Sequence, residues 1–259
     1  MTKHKSVALP LLPLLDHKGF RAYTTMRGID PRQSDDPYAG FNVCHYSGDS
    51  QAHIAECRAI LATKFSTDEH HLIIPRQTHS CSILTITDTL PSETELEGVD
   101  GIVTTRRDII IGVNTADCVP LIMVDAEAGV SAAVHAGWRG AVAGIASEAL
   151  KSMKKAGADP RNIIAVMGPS ICLKCFEVGP EVAVQFDPGS VMTAGFTRPH
   201  VSLHNHLTNE LLSLGLSESN ILPFEEKMCT RCHPTDFFSA RASGVASGRV
   251  FTFITALPS

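Results

Sequence analysis

The chain has 259 residues, 44% of them hydrophobic and 19% charged, with a net charge of −5. This is the balance of an ordinary globular protein with room for a sizeable core. It has no basic run or stripe to favour nucleic acid, and no stretch of ~20 apolar residues to cross a membrane.

The first twenty residues, "MTKHKSVALPLLPLLDHKGF", place two lysines before an apolar run, the outline of a short export signal. Pro10 and Pro13 interrupt the run, and no small-residue cleavage site follows it. An extended first segment packed on the body is expected instead, in a cytoplasmic protein. The eight cysteines are then thiols or metal ligands rather than a disulfide framework.

"FRAYTTMR" alternates as a strand, and residues 28–40, rich in Gly, Pro and Asp, read as a loop. "GDSQAHIAECRAILATKF" has helical spacing in Ile54, Cys57, Ile60 and Leu61, with Ser50 as its cap. "HLIIPRQTHS" is a short strand running into a turn with His79, and "CSILTIT" is another strand. Between 99 and 136 lie "VDGIVTT", "IIIGVNT", "VPLIMVD" and "VSAAVHA", β-branched runs dense enough to be strands of one sheet. A helix is expected from "GWRGAVAG" to Gly157, a strand at "NIIAVMGPSI", helices at "GPEVAVQF" and "LTNELLSLGL", and a final strand at "GRVFTFITAL". "MCTRCHPTDFFSARASG" reads as irregular. Strands mixed with helices without strict alternation indicate an α+β fold. The expected arrangement is a single domain over 1–259, a monomer, with mixed sheets in the centre and helices outside.

Three polar residues end apolar runs: His79, Cys118 and His135. Two imidazoles and a thiolate suit a borderline-soft divalent metal such as zinc, with a fourth position left for water or substrate. The same residues also suit a nucleophilic Cys118 with His135 or His79 as base, and Asp117 or Asp100 to orient the imidazole. Spacing does not separate these readings from a satisfied histidine pair and a core cysteine. Two C-x-x-C pairs, Cys172/Cys175 and Cys229/Cys232, are favoured as free thiols. A zinc held by all four, or a redox pair, is the alternative. Arg27, Asn42, Arg58 and Arg139 fall in or near loops, where an arginine fork can take phosphate or carboxylate. The H-x-E of zinc nucleobase deaminases is missing, since Ala136 and Gly137 follow His135.

The segments "TTMRG", "GFNVCHYSGD", "RQTHS", "VDGIVTT", "NTADCVPLIMVD", "AAVHAGWRG", "GPSICLKCFEVGPEV" and "CTRCHPTDFFSARASG" run in order from about 24 to 244. Together they resemble the YfiH-type family, described variously as polyphenol oxidase (laccase-domain) proteins, purine nucleoside phosphorylases and the peptidoglycan editing factor. "TADC-x-P" followed by "HAGWRG" is the specific part. The resemblance implies zinc on His79, Cys118 and His135, and catalytic use of the same residues. The implied reaction is phosphorolysis of adenosine, inosine and methylthioadenosine, with adenosine deamination as a companion activity. It also places Arg27 near the active centre. Arg27, Asn42 and Arg139 are the expected phosphate or substrate contacts, and His79 or a metal-held water the expected acid.

This chain departs from the family pattern at Ser202, where an Asp is usual, at Ala240 and Ala242, where an aromatic and an Arg are usual, and at Val43, often Leu. Those departures bear on substrate preference more than on the metal trio. Two competing functions follow. One is a Cys–His hydrolase acting on a peptidoglycan precursor. The other is a copper polyphenol oxidase, the less favoured because His204-Asn205-His206 is the chain's one His-x-His pair.

Overall fold

The computed structural model describes residues 9–28 and 36–256, and within them the chain is α+β. Most of the loop expected over 28–40 lies outside those residues. β1 (Leu11–His17) and β2 (Phe20–Thr25) make the first hairpin, turning at Lys18 and Gly19. β1 is the extended first segment. Its Pro13 is tolerated on an edge strand, and the register slips between Pro13 and Leu15. α1 (Gln51–Lys64) buries Ile54, Cys57 and Leu61, as their spacing predicts. Ser50 occupies its cap position without making a side-chain bond. Asp49 does the fastening, accepting the Ser50 N–H at 2.7 Å and bonding His53 Nδ1 at 2.8 Å.

β3 (Leu72–Ile73), β4 (Ile83–Ile86), β5 (Gly101–Thr104), β6 (Ile110–Thr115), β7 (Val119–Asp125) and β8 (Val130–Ala136) follow. The long helix expected next is broken into α2 (Trp138–Val142) and α3 (Ile145–Lys155), because Gly144 takes a left-handed φ of 83°. β9 (Ile164–Met167), the single-turn α4 (Pro180–Ala183), β10 (Val191–Met192) and β11 (His200–Val201) lead to α5 (Leu203–Ser213). Ser202 caps α5 by accepting the Asn205 N–H at 3.1 Å. β12 (Ile221–Leu222), the short α6 (Ala240–Ser243) and β13 (Val250–Thr255) close the chain.

The strands form a five-stranded sheet in the order β1-β2-β13-β6-β3, a six-stranded sheet in the order β12-β9-β7-β8-β5-β4, and the small pair β10-β11. The four central runs therefore do not share one sheet. β6 leaves its sequence neighbours to pair with β13 and β3. Its two faces explain why: Ile110 packs toward α1 with Leu61 and Phe253, while Ile111 and Val113 pack between the sheets with Ile122 and Ala133. Long-range packing of this kind decides strand partners, and local pattern does not. On the far side of the six-stranded sheet, Leu121, Val134, Leu150, Met153 and Leu207 form the largest core cluster. The layers thus run α1, five-stranded sheet, six-stranded sheet, then α3 and α5. Among the described residues no helix is long and apolar enough to cross a membrane.

Candidate active site

The site lies where β6 turns into β7 and β8 ends. β8 sends Ala132, Val134 and Ala136 toward the helices and Ala133 between the sheets. His135 shares the parity of Ala133, so its ring leaves the strand on the inter-sheet side. Cys118 sits in the turn before β7, beside Asp117 at a left-handed φ of 89°. Such a backbone costs about 1–3 kcal/mol and persists only where the surroundings hold it. Here Thr230 Oγ1 and Ser239 Oγ each donate to Asp117 Oδ1 at 2.7 Å, and the Arg241 N–H donates to Oδ2 at 2.6 Å.

His79 is also left-handed, at φ 62°, and a second carboxylate holds it. Fully buried Asp100 accepts the successive N–H groups of Thr78, His79 and Ser80 at 3.0, 2.9 and 2.8 Å, and the Ser80 hydroxyl at 2.8 Å. Its Oδ1 meets His135 Nδ1 at 2.7 Å. A carboxylate only accepts, so Nδ1 carries the hydrogen and Nε2 is the ring nitrogen left to bind a ligand, on loss of its own proton. Asp100, not Asp117, is therefore the residue that orients the imidazole.

These two scaffolds bring the trio together. One ligand atom from each of His79, Cys118 and His135 lies within 4.8 Å of the others. Cys118 Sγ is 3.8 Å from His79 Nε2, and the two imidazoles meet edge to face at 4.8 Å. Burial pushes the Cys118 thiol up, but His135 and His79 beside it outweigh burial and bring it down to about 6. Burial pushes His135 down, yet the Cys118 sulfur and Asp100 raise it to about 9. Burial likewise pushes the Asp100 carboxyl up, and His135 with the backbone N–H groups lowers it to about 2. Gly137 keeps the space open: a Cβ there would lie 2.7 Å from His79 Cδ2 and 3.1 Å from Cys118 Sγ. A preformed thiolate, an imidazole whose Nδ1 is held by Asp100 so that Nε2 becomes the ligand atom once its proton is released, and a cradle with no room for a methyl fit a divalent metal ion.

The trio opens onto a cavity of about 520 Å³, within the usual range for small-molecule sites. Asn114, Thr115, Arg241 and Arg249 line it beside the trio. Asn114 is 3% exposed, and neither atom of its side-chain amide has a hydrogen-bond partner among the described residues. Its backbone is gripped by Gln77, which donates to Asn114 O and accepts from Asn114 N, both at 2.8 Å.

The sequence profile of the family described as multi-copper polyphenol oxidoreductase laccase matches residues 21–257. The chain belongs to that family. This is the YfiH-type family that its motifs resemble. One relative, the adenosine deaminase RL5 from an unknown prokaryotic organism, is 41% identical over 251 residues, 92% of this chain and 94% of RL5. A purine nucleoside phosphorylase from Bacteroides thetaiotaomicron is 36% identical over 239 residues, 85% of this chain and 86% of that one. Among solved structures, a hypothetical protein YfiH from Bacillus licheniformis has a TM-score of 0.86 at 24% identity, covering 96% of this chain and 97% of that one. YlmD from Geobacillus stearothermophilus has a TM-score of 0.82 at 25% identity, covering 92% of each chain.

None of the other sequence candidates, Arg27, Asn42, Arg58 and Arg139, is among the residues lining the cavity. Arg27 donates to the carbonyls of Ala39 at 2.7 Å, Pro234 at 3.1 Å and Asp36 at 3.4 Å, and its guanidinium lies 5.2 Å from the Phe238 ring centroid. It is not among the residues lining the cavity. Arg139 is exposed and stacks on Trp138 at 4.3 Å. Arg58 donates to Val43 O at 3.1 Å. Asn42 is buried, donates to Asp49 Oδ2 at 2.9 Å and accepts the Arg249 N–H at 3.3 Å, so it supports a wall residue without reaching the cavity. Sequence reasoning overlooked Asn114, Arg241 and Arg249. Asn114 did carry a signal, as an amide inside the apolar run "IIIGVNT".

Proposed function

We propose that the chain is a zinc-containing purine nucleoside phosphorylase. It would cleave adenosine, inosine and methylthioadenosine with phosphate to the free base and a ribose 1-phosphate, with adenosine deamination as a side activity. The observation that carries this reading is the cavity itself. The His79–Cys118–His135 trio lines it together with Asn114, whose amide is unpaired, and Arg241, whose guanidinium donates to Glu177 O and lies 5.5 Å from the Phe176 ring centroid. The names of the two relatives described above, one a phosphorylase and one a deaminase of purine nucleosides, support it.

The chain's own residues divide the work. His135 is fixed by Asp100 through Nδ1, so its Nε2 would be the atom to hold a metal ion, and Cys118 would bind as the thiolate its lowered pKa favours. His79 completes a His₂Cys set, which suits zinc with one position open. An ion held there would supply Lewis acidity. Arg241 bonds Glu177 O through Nη1 at 3.1 Å, and its remaining N–H groups meet the charge of phosphate. Asn114, which offers a donor pair and an acceptor, takes the purine edge or a ribose hydroxyl. A satisfied partner there removes the cost of a buried unpaired amide, about 1–3 kcal/mol.

A multi-copper oxidase reading has less support. Among the described residues only two clusters of three or more metal-ligand side chains occur, one of them all cysteine. The His-x-His pair is split, with His204 on Ser170 Oγ at 2.8 Å and His206 on Asp187 Oδ2 at 3.1 Å. A second reading, the Cys118 hydrolase, draws on the lowered Cys118 thiol beside an Asp100-oriented His135.

The deciding experiment incubates adenosine with and without phosphate and resolves adenine, inosine and ribose 1-phosphate. Phosphate-dependent adenine release supports the phosphorylase, and phosphate-independent inosine supports the deaminase. No turnover of any purine nucleoside, together with metal-free cleavage of an amide substrate, would replace both with the hydrolase.

A further inference from the structure

The two C-x-x-C pairs, far apart in sequence, meet in space. Cys172 and Cys175 lie in the turn after β9, and Cys229 and Cys232 in the segment before α6. A parallel bridge between Ser170 and Cys229 joins the two stretches, with Ser170 N donating to Met228 O at 3.2 Å and Thr230 N to Ser170 O at 3.1 Å. All four sulfurs lie within 4.8 Å of one another, and Cys175 Sγ is 3.4 Å from Cys232 Sγ. A zinc ion bound by four thiolates at ~2.3 Å sets its sulfurs about 3.8 Å apart. The cluster already has roughly that size, and none of its cysteines is in a disulfide.

The surroundings are those of a metal thiolate knuckle. The Cys172 N–H donates to Cys229 Sγ at 3.3 Å, and the Cys175 N–H to Cys172 O at 3.0 Å, a tight turn of the kind C-x-x-C ligation uses. Lys174, between the first two cysteines, pairs with Glu226 at 3.0 Å, and Arg231 lies between the second two. Arg231 also crosses the junction, donating to Cys175 O at 3.2 Å. Cys172 and Cys229 are buried, while Cys232 is exposed and gives an ion a way in.

We propose that Cys172, Cys175, Cys229 and Cys232 form a second metal site, a structural tetrathiolate taking zinc or a similarly thiophilic divalent cation. The site would staple two segments that both grip the turn before Cys118. Ile171, next to Cys172, donates its N–H to Asp117 O at 2.9 Å, and Thr230, next to Cys229, donates to Asp117 Oδ1 at 2.7 Å. The staple therefore sets the geometry of the first site without joining it.

The test uses the full-length Cys118→Ala protein, in which the His₂Cys trio has lost a ligand, and reads metal alone. Elemental analysis should find about one zinc per chain, and cobalt exchanged into it should give the intense thiolate-to-cobalt charge transfer and tetrahedral d–d bands of a four-sulfur site. Adding Cys175→Ser and Cys232→Ser should abolish both signals. The cobalt spectrum of Cys118→Ala requires no change in the cluster, so it stands even if the triple variant fails to fold. The proposal is overturned if Cys118→Ala is zinc-free and shows no thiolate charge transfer. It is also overturned if thiol counting finds the four cysteines in disulfides, or if iron and inorganic sulfide occupy them. None of these readouts involves nucleoside turnover, so they stand apart from the function proposed above.

Discussion

Replacing Asp100 by asparagine removes one charge and almost no volume, and the geometry sets what it should do. Asp100 Oδ1 serves His135 Nδ1 and the His79 N–H, while Oδ2 serves the N–H groups of Thr78 and Ser80 and the Ser80 hydroxyl. An asparagine must turn its NH₂ toward one of these sides, so at least one buried backbone donor faces another donor. Each such loss costs about 1–3 kcal/mol, and the charge-assisted bond to His135 is worth about 1.5–3 kcal/mol. Without that bond His135 loses its fixed tautomer. Metal affinity should fall about ten- to a hundredfold, at 1.4 kcal/mol per tenfold. Total destabilisation near 3 kcal/mol should lower the melting temperature by roughly 6–12 °C for a chain of this size. Competition against a chromophoric chelator reads the first effect and thermal unfolding of metal-free protein the second. A variant that melts lower but binds metal as tightly as the parent refutes the orienting role. A variant unchanged in both refutes the network.

Gly137→Ala tests the cradle: its Cβ should displace the His79 ring and lower turnover by about a hundredfold, the order set by a ~1 Å misplacement. The backbone at φ −69° accepts alanine, so the melting temperature should hold, and unchanged turnover would show that the trio tolerates the shift. Arg241→Ala should weaken apparent phosphate affinity by roughly ten- to a hundredfold, whereas Arg27→Ala should mainly lower stability; the reverse pattern in phosphate titrations and melts would return the anion site to Arg27. In metal-free protein the Cys118 thiol, lowered to about 6, should react with iodoacetamide half-maximally near that pH, and an inflection near ~8.5 would refute the pairing. The paired charges contribute stability that is lost on the acid side as pH falls through about 6 at Cys118, and on the alkaline side as it rises through about 9 at His135. Protons also compete with the metal, so its affinity should drop steadily as pH falls below about 9, and a flat profile from about pH 7.5 to 5.5, either side of free imidazole, would argue against histidine ligation.

The sequence by itself determined most of the longer elements and marked the candidate site residues, because those depend on short-range pattern. Short β-branched apolar runs mark β7 and β8, period-3.6 spacing marks α1, and a polar residue at the end of an apolar run marks His79, Cys118 and His135. Pattern could not show that β6 joins β13 across more than 130 residues of chain, because strand partners are chosen by what each face buries. Nor could it choose between Asp100 and Asp117, which look alike as sequence. Only the tertiary structure separates them, since Asp100 lies against His135 Nδ1 while Asp117 is taken up by Thr230, Ser239 and Arg241. Arginine is the extreme case. Its long side chain reaches carbonyls, rings or a cavity with equal ease, so Arg27 and Arg139 read from sequence as anion sites while Arg241 reaches the cavity. The meeting of the two C-x-x-C pairs has the same cause: it depends on the bridge from Ser170 to Cys229, a contact that exists only once the chain has folded.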